Sequence, residues 1–140
     1  MREAGICDAY LFRERARSIP TTAGEARIEA FIVAANAFTR CVRDSLAKRV
    51  NERLAYYGAA GECYLEARDS KNAGDNYRMA EQYPAAARAY REGGYFDEMV
   101  EVIIRHRNTF DSRLVKRLTM AAQMHYFKVR FTSQLVCERR

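Results

Sequence analysis

The side chains best suited to catalysis or metal binding in this chain are two histidines and four cysteines. His106 and His125 stand 19 residues apart and belong to no HExxH motif, and no two cysteines form a CxxC pair. A zinc site needs such ligands at close spacing, so the sequence predicts no metal site. A Cys–His nucleophile pair meets in space rather than in sequence, and it stays open as a minor alternative. The cysteines are Cys7, Cys41, Cys63 and Cys137.

The motifs that hold nucleotides are also missing from the sequence. The chain never shows Gly-Lys, which excludes the GxxxxGK[ST] phosphate loop, and it contains no GxGxxG. Glu62 and Glu66 lie one helical turn apart, and a solvated helix face explains this pair of carboxylates. We therefore predict no catalytic residue, no cofactor and no enzymatic activity for the chain.

Three tyrosines, Tyr64, Tyr77 and Tyr90, recur at one interval and permit two interpretations. Aligned along a surface, their rings would stack on the bases of a single-stranded nucleic acid. Their recurrence beside alanines at helical spacing is instead typical of core packing. We favour the core interpretation.

The charge of the chain is unevenly distributed along its length. The net charge of +6 divides into +3 for residues 1–50, −3 for residues 51–100 and +6 for residues 101–140. A basic end of this kind attracts nucleic acid or an acidic partner, although solvated helix faces explain the same charges. The possible nucleic-acid contacts are Arg105, Arg107, Lys116 and Arg117, with Arg113 beside them.

The composition indicates an all-α protein. Ala, Arg, Glu and Leu are abundant, and proline occurs only at Pro20 and Pro84. The longest apolar run, Ala30–Phe38, is too short to cross a bilayer, and no secretory leader follows Met1. Free buried thiols are favoured over disulfides, which stay open as the alternative. We expect a soluble intracellular protein, cytoplasmic or nuclear, without membrane association.

The N-terminal half is predicted to form longer amphipathic helices. The first ends before Pro20, because the residue before a proline is pushed out of the helical region. A second covers Glu25–Ser45, where apolar residues recur at steps of three and four. The helical pattern then continues to Ala67, and we expect a break near Asn51 or Gly58, where two helices would meet.

A thirteen-residue repeat follows, and its blocks cover residues 59–71, 72–84, 85–97 and 98–110. Ten helical residues and a three-residue reversal fill one block, so each block is predicted to form one short helix and its turn. The helix boundaries are expected at Asp69 or Ser70, at Pro84, at Gly93–Gly94 and at Asp97.

Small residues and tyrosines share one face of each predicted short helix. Small side chains let neighbouring helices approach closely, and each tyrosine fills the groove that remains. The third column of the alignment reads Gly61, Gly74, Ala87 and Val100. The predicted repeat-packing residues are Ala60, Tyr64, Ala67, Ala73, Tyr77, Ala80, Ala86, Tyr90 and Gly93.

The predicted fold is an all-α, short-helix α-solenoid built from TPR-like helical hairpins, with about thirteen residues for each helix. It forms one domain over residues 1–140, with longer helices in 1–58, short-helix repeats in 59–110 and a C-terminal helix in 111–140. Short helices are marginal alone, so stacking against neighbours must supply most of their stability.

The sequence also resembles a known protein family through four segments. They read AYLFRERARSIP, EAFIVAANAFTRC, AGECYLEARDSKNAGDNYRMAEQYPAAARAYREGGYFDEMVEVI and AAQMHYFK, and together they cover most of residues 9–128. They are similar to the C-terminal helical-repeat region of fungal proteins related to the TPR- and ankyrin-repeat-containing protein, which carry a UvrD-like helicase motor. The chain departs from the family pattern at Asn76 and at Met99.

The resemblance implies a parent protein whose superfamily 1 motor hydrolyses ATP, but none of the motor's motifs occurs here. We therefore expect a non-catalytic scaffold or spacer, a fragment or relative of such a helicase, that contacts protein partners or neighbouring domains. The alternative function is a nucleic-acid-binding accessory domain that uses the basic C-terminal end.

Overall fold

The computed structural model describes residues 2–43 and 49–138, and the side chains of residues 8–43 and 49–130. Within these residues the chain is all-helical and contains no strand, which confirms the predicted all-α class. Two 3-10 turns, Thr21–Ala23 and Arg107–Thr109, accompany the helices. The helices are α1 (Arg2–Ser18), α2 (Gly24–Arg43), α3 (Val50–Glu66), α4 (Ser70–Met79), α5 (Tyr83–Gly93), α6 (Phe96–Arg105) and α7 (Ser112–Glu138).

Each helix packs mainly against the helix that precedes it and the helix that follows it, and α5 also touches α7. One continuous apolar core runs through the stack from Ala9 on α1 to Ala122 on α7. The largest fully buried side chains include Phe31 and Phe38 on α2 and Tyr90 on α5. The core therefore follows the order of the chain, and each helix is stabilised chiefly by its sequence neighbours.

The turns that end α3, α4 and α5 have the same backbone geometry. Arg68, Glu81 and Gly94 stand thirteen residues apart and adopt the left-handed conformation, with φ of 63°, 60° and 81°. In each turn the backbone N–H of the following residue donates a hydrogen bond to the carbonyl oxygen five residues earlier, as from Asp69 N to Tyr64 O (2.9 Å). The matching bonds are Gln82 N to Tyr77 O (2.9 Å) and Tyr95 N to Tyr90 O (2.8 Å). This pattern satisfies the carbonyls at the end of each helix.

Side chains mark several of the predicted helix boundaries. Asp69 caps α4 by accepting a hydrogen bond from Asn72 N at 3.2 Å, and Pro84 occupies the first turn of α5, where its missing N–H costs nothing. Gly94 ends α5 with the positive φ that glycine adopts without strain. Asp97 is not a cap: the N-cap of α6 is Tyr95, and Asp97 lies in the first turn.

The break predicted near Asn51 agrees with the start of α3 at Val50, where Arg49 is the extended N-cap, whereas the alternative at Gly58 is wrong because Gly58 lies inside α3. A glycine inside a helix costs only about 1 kcal/mol relative to alanine, too little to interrupt a helix held by its neighbours. The boundary drawn at residue 58 therefore falls inside α3, and the first block, 59–71, contains the second half of a 17-residue helix rather than a short one. Residues 44–48, which include Ser45 of the predicted second helix, lie outside the described part of the chain.

Arg27 on α2 ties three helices together at one end of the stack. Its Nη1 donates to the carbonyl oxygens of Ala16 (3.2 Å) and Ile19 (2.6 Å) at the end of α1. Its guanidinium also lies over the ring of Phe31 at 4.9 Å, and its Nη2 is 3.6 Å from a carboxylate oxygen of Glu66 on α3. Because these contacts hold the guanidinium group between α1, α2 and α3, Arg27 stabilises the packing of the three helices.

Candidate functional site

The predicted repeat-packing residues occupy two kinds of position. Ala60, Ala73 and Ala86 are fully buried, and the three tyrosines of the repeat are also buried. Ala67 and Ala80 are buried as well, but they are the residues that cap the ends of α3 and α4. Gly93 is exposed. Ala67, Ala80 and Gly93 are the ninth residues of their blocks, and they lie at helix ends because α4, α5 and α6 each begin two residues before their block does.

Local packing explains why residue 93 is a glycine. A Cβ at this position would lie 2.6 Å from Cβ of Ser70 and 2.7 Å from Cε2 of Tyr95. Both contacts are closer than real side chains tolerate, so the start of α4 and the turn after α5 leave no space there.

Two glycines that were left out of the predicted packing set receive the tyrosines of the following helix. A Cβ at Gly61 would lie 3.0 Å from Cδ1 of Tyr77, and a Cβ at Gly74 would lie 2.5 Å from Cε1 of Tyr90. Each tyrosine follows its glycine by sixteen residues. The signal was present in the third column of the alignment, which reads Gly61 and Gly74, but only the structure shows which ring faces which glycine.

We expect Gly74→Ala to lower the free energy of unfolding by about 1 to 2 kcal/mol. The added methyl group overpacks against Tyr90, which is fully buried and has no room to move, and this outweighs the roughly 1 kcal/mol that alanine adds to a helix. Urea denaturation followed by circular dichroism measures the change.

Gly58→Ala is the matched control, because it makes the same exchange inside a helix. The nearest atoms there belong to the end of the flexible Gln82 side chain, which can move aside. We expect this variant to be neutral or slightly stabilised. A Gly74→Ala protein as stable as Gly58→Ala would contradict the proposed tight fit between Gly74 and Tyr90.

The tyrosine hydroxyls form polar contacts between successive helices. Tyr64 donates to Oδ1 of Asn36 at 2.6 Å, and Tyr90 donates to Oδ1 of Asp75 at 2.5 Å. Tyr126 donates to Asp97 in the same way. The rings of Tyr64, Tyr77 and Tyr90 are at most 8% exposed, so they offer no free face on which a nucleobase could stack.

The two histidines are stacked on aromatic rings rather than placed beside a thiol. The ring of His106 lies 3.5 Å from that of Tyr83 at an angle of 6°, and His125 lies 4.4 Å from Phe96. Cys63 is a buried free thiol, and burial raises its pKa to about 11. Such a thiol is almost entirely protonated at neutral pH and is a poor nucleophile. Cys41 is also buried, whereas the side chains of Cys7 and Cys137 lie outside the described part.

Among the described residues, no group of three or more His, Cys, Asp and Glu side chains is arranged to hold a metal ion. Within the same residues no helix has the length and hydrophobicity needed to span a membrane.

Asn76 and Met99, where the chain differs from the family that its sequence resembles, have different local roles. Asn76 donates from its side-chain nitrogen to the carbonyl oxygen of Asn72 (2.8 Å), one turn earlier in α4. Met99 is fully buried in the core on α6.

The residues predicted as nucleic-acid contacts lie in different local environments on α6, the second 3-10 turn and α7. Arg105 pairs with Glu101 at 3.1 Å, one turn earlier on α6, and Arg107 is exposed in the 3-10 turn. Lys116 and Arg117 are exposed on α7. Arg117 lines an open cleft between α5 and α7, with a volume of about 450 Å³, together with Arg88 and Arg91.

Arg88 and Arg91 were absent from the predicted contact set, because they lie in the acidic middle of the sequence. Helix α5 presents them on the same cleft as Arg117, and Glu92 is the acidic residue that lines it. The floor of the cleft is formed by Leu114 and Leu118. This arrangement fits an anionic group held above an apolar floor.

A second cleft lies at the other end of the stack and has a volume of about 350 Å³. Arg13 and Arg17 from α1 line it, and so do Glu62 and Glu66 from α3. Arg13 also lies over the rings of Tyr10 and Phe38, at 5.0 and 5.7 Å. Positive and negative side chains thus line the same opening, unlike the more strongly basic α5–α7 cleft.

Comparison with known proteins does not assign these surfaces. A scan of protein-family models, a search of curated proteins and a search of solved structures each found no match to this chain.

Proposed function

We propose that this chain is a short α-solenoid that serves as a non-catalytic scaffold or spacer for protein interactions. The single observation that carries the proposal is the recurrence of the same turn, at Arg68, Glu81 and Gly94, every thirteen residues. Identical turns place successive short helices in similar relation to one another, which is how a repeat protein builds an extended stack.

The use of the reactive side chains supports a non-catalytic role. His106 and His125 are stacked on aromatic rings, and the Cys63 thiol has a raised pKa. Catalytic groups instead need free reach to a substrate and a pKa matched to their task. We include an intracellular location, cytoplasmic or nuclear, in the proposal, because the buried free thiol of Cys63 suits a reducing compartment.

The experiment is a combined test of fold and activity on the purified chain. We expect a helical circular dichroism spectrum and no ATP hydrolysis, with or without single-stranded DNA. A UvrD-like helicase in the same assay serves as the positive control. ATP hydrolysis stimulated by nucleic acid would overturn the non-catalytic proposal.

The relation to UvrD-like helicases is part of the same proposal. Its support is the order of the four sequence segments, the longest of which spans the end of α3 through most of α6. Sequencing the transcript beyond both ends of this chain is the test. An adjoining superfamily 1 motor would support the relation, and a complete reading frame without one would contradict it.

A second candidate function is nucleic-acid binding, and the arginines of the α5–α7 cleft favour it. Phosphate contacts by Arg88, Arg91 and Arg117 would release counterions, so affinity for single-stranded DNA or RNA should fall steeply as salt rises. Substituting Arg88, Arg91, Arg105, Arg107, Lys116 and Arg117 together with alanine should abolish the binding. Unchanged binding in that variant, or no binding at low salt, would count against this candidate.

A further inference from the structure

Helix α7 has apolar side chains on two opposite faces. Leu114, Leu118 and Ala122 lie on its inner face and are at most 6% exposed. Met120, Met124 and Phe127, at steps of four and three, share the outer face and are 58%, 59% and 66% exposed. A helix that covers only one edge of a domain needs one apolar face, so the exposed methionines of this outer stripe are not explained by the fold.

The charges around the outer stripe have one sign. Between Ser112 and Arg130 the helix contains five Lys and Arg residues and no Asp or Glu. Lys116 and Arg117 precede the stripe by about one turn, and Arg130 follows it; all three are exposed. A partner that covers the methionines would meet positive charge at both ends of the contact, which favours an acidic surface.

The packing of α7 limits the shape of the partner. Because Leu114 and Leu118 are buried against the domain, a protein that wraps around a helix has access to only one side of α7. His125 and Tyr126 still contact Phe96 and Asp97 of α6, so the inner side stays covered as far as these residues. A second helix that lies beside α7, at the usual separation of 8 to 10 Å, fits this one-sided access.

We propose that the outer face of α7 binds an amphipathic helix of a partner protein that carries acidic residues beside its apolar face. This inference rests on the proposed scaffold function and names the class of its partner. A second copy of the chain is disfavoured, because two such helices would bring their positive charges together. An anionic membrane is disfavoured because the stripe is narrow compared with the apolar face of an interfacial helix.

The probe for this proposal is a synthetic 18-residue amphipathic peptide with leucines on one face and glutamates beside them. We expect the purified chain to bind it, as measured by fluorescence anisotropy of the labelled peptide. The variant Met120→Ser/Met124→Ser should bind at least tenfold more weakly, because two apolar contacts are lost. Both residues are exposed, so this variant should keep its helical spectrum and its unfolding midpoint.

A charge exchange tests the second half of the proposal. The variant Lys116→Glu/Arg130→Glu should lose the acidic peptide and gain affinity for the same peptide with lysines in place of the glutamates. The variant Arg40→Glu/Arg53→Glu makes the same charge change at exposed positions on α2 and α3, and it should bind the acidic peptide as the unmodified chain does.

Several outcomes would overturn the proposal. One is that the acidic peptide does not bind. Another is that Lys116→Glu/Arg130→Glu and Arg40→Glu/Arg53→Glu lose equal affinity for it, and a third is that Met120→Ser/Met124→Ser binds it as tightly as the unmodified chain. Binding to phosphatidylserine vesicles that depends on Met120 and Met124, without peptide binding, would assign the face to a membrane. Binding to single-stranded RNA alone would assign the charges to nucleic acid. The scaffold proposal fails separately, through ATP hydrolysis by the chain.

Discussion

Tyr90→Ala is expected to lower the free energy of unfolding by about 4 kcal/mol, which is a large share of the stability of a domain of this size. Tyr90 is the largest fully buried side chain of the core, and its ring fills the space above Gly74. Removing this side chain leaves a cavity. It also removes the hydroxyl group that donates a hydrogen bond to the carboxylate of Asp75. Urea denaturation followed by circular dichroism at 222 nm measures the loss.

Tyr90→Phe is the matched control for this experiment. It keeps the ring against Gly74 and removes only the hydroxyl group, so we expect a loss of about 1 kcal/mol. A loss below about 1.5 kcal/mol in Tyr90→Ala would contradict the view that this ring connects α4 and α5. Equal losses in the two variants would mean that the hydrogen bond, rather than the ring, provides the stabilisation.

The folded state is expected to lose stability steeply at alkaline pH. Burial raises the pKa of Tyr77 and of Tyr90 from 10.0 to about 12, with the hydrogen bond to Asp75 adding to the effect at Tyr90, and burial raises the pKa of Cys63 from 9.0 to about 11. A group whose pKa is higher in the folded state stabilises that state below the unfolded pKa, and its contribution is lost as pH rises to the folded pKa. The affected range is therefore about pH 9 to 12.

The size of this effect follows from the same shifts. At pH 11 each of the two tyrosines accounts for a loss of about 1 kcal/mol, and Cys63 accounts for about 2 kcal/mol. Urea denaturation at pH 8, 10 and 11 measures the sum, and absorbance at 295 nm follows the tyrosine ionisation. The variant Cys63→Ala should show a weaker fall between pH 9 and 10. Equal stability at pH 8 and pH 11 would contradict the prediction.

Much of the helical framework could be predicted from local sequence. The end of α1 two residues before Pro20, the start of α5 around Pro84 and its end at Gly94 follow from the restricted backbone of proline and the free backbone of glycine. The interval between the tyrosines was also visible in the sequence. These features depend on the chemistry of one or a few adjacent residues.

The left-handed turns at Arg68 and Glu81 could not be predicted in this way. Neither residue favours a positive φ, and in the absence of neighbours the conformation costs roughly 1 kcal/mol or more at each position. Packing of α4 on α3 and of α5 on α4 determines where the chain must reverse, so the burial energy of whole helices exceeds this local cost. The same reasoning explains why Gly58 lies inside α3 although it suggested a break.

The sequence by itself determined the helical class of this protein, the helix boundaries at Pro20, Pro84 and Gly94, and the spacing of its tyrosines, because each depends on local backbone chemistry or on composition. Only the tertiary structure decided which partners these residues meet. It placed Tyr90 against Gly74, and it placed Arg88 and Arg91 beside Arg117 on α7. The physical reason is that contacts between helices depend on how whole helices pack, and residues far apart in the chain share a surface only after that packing is complete.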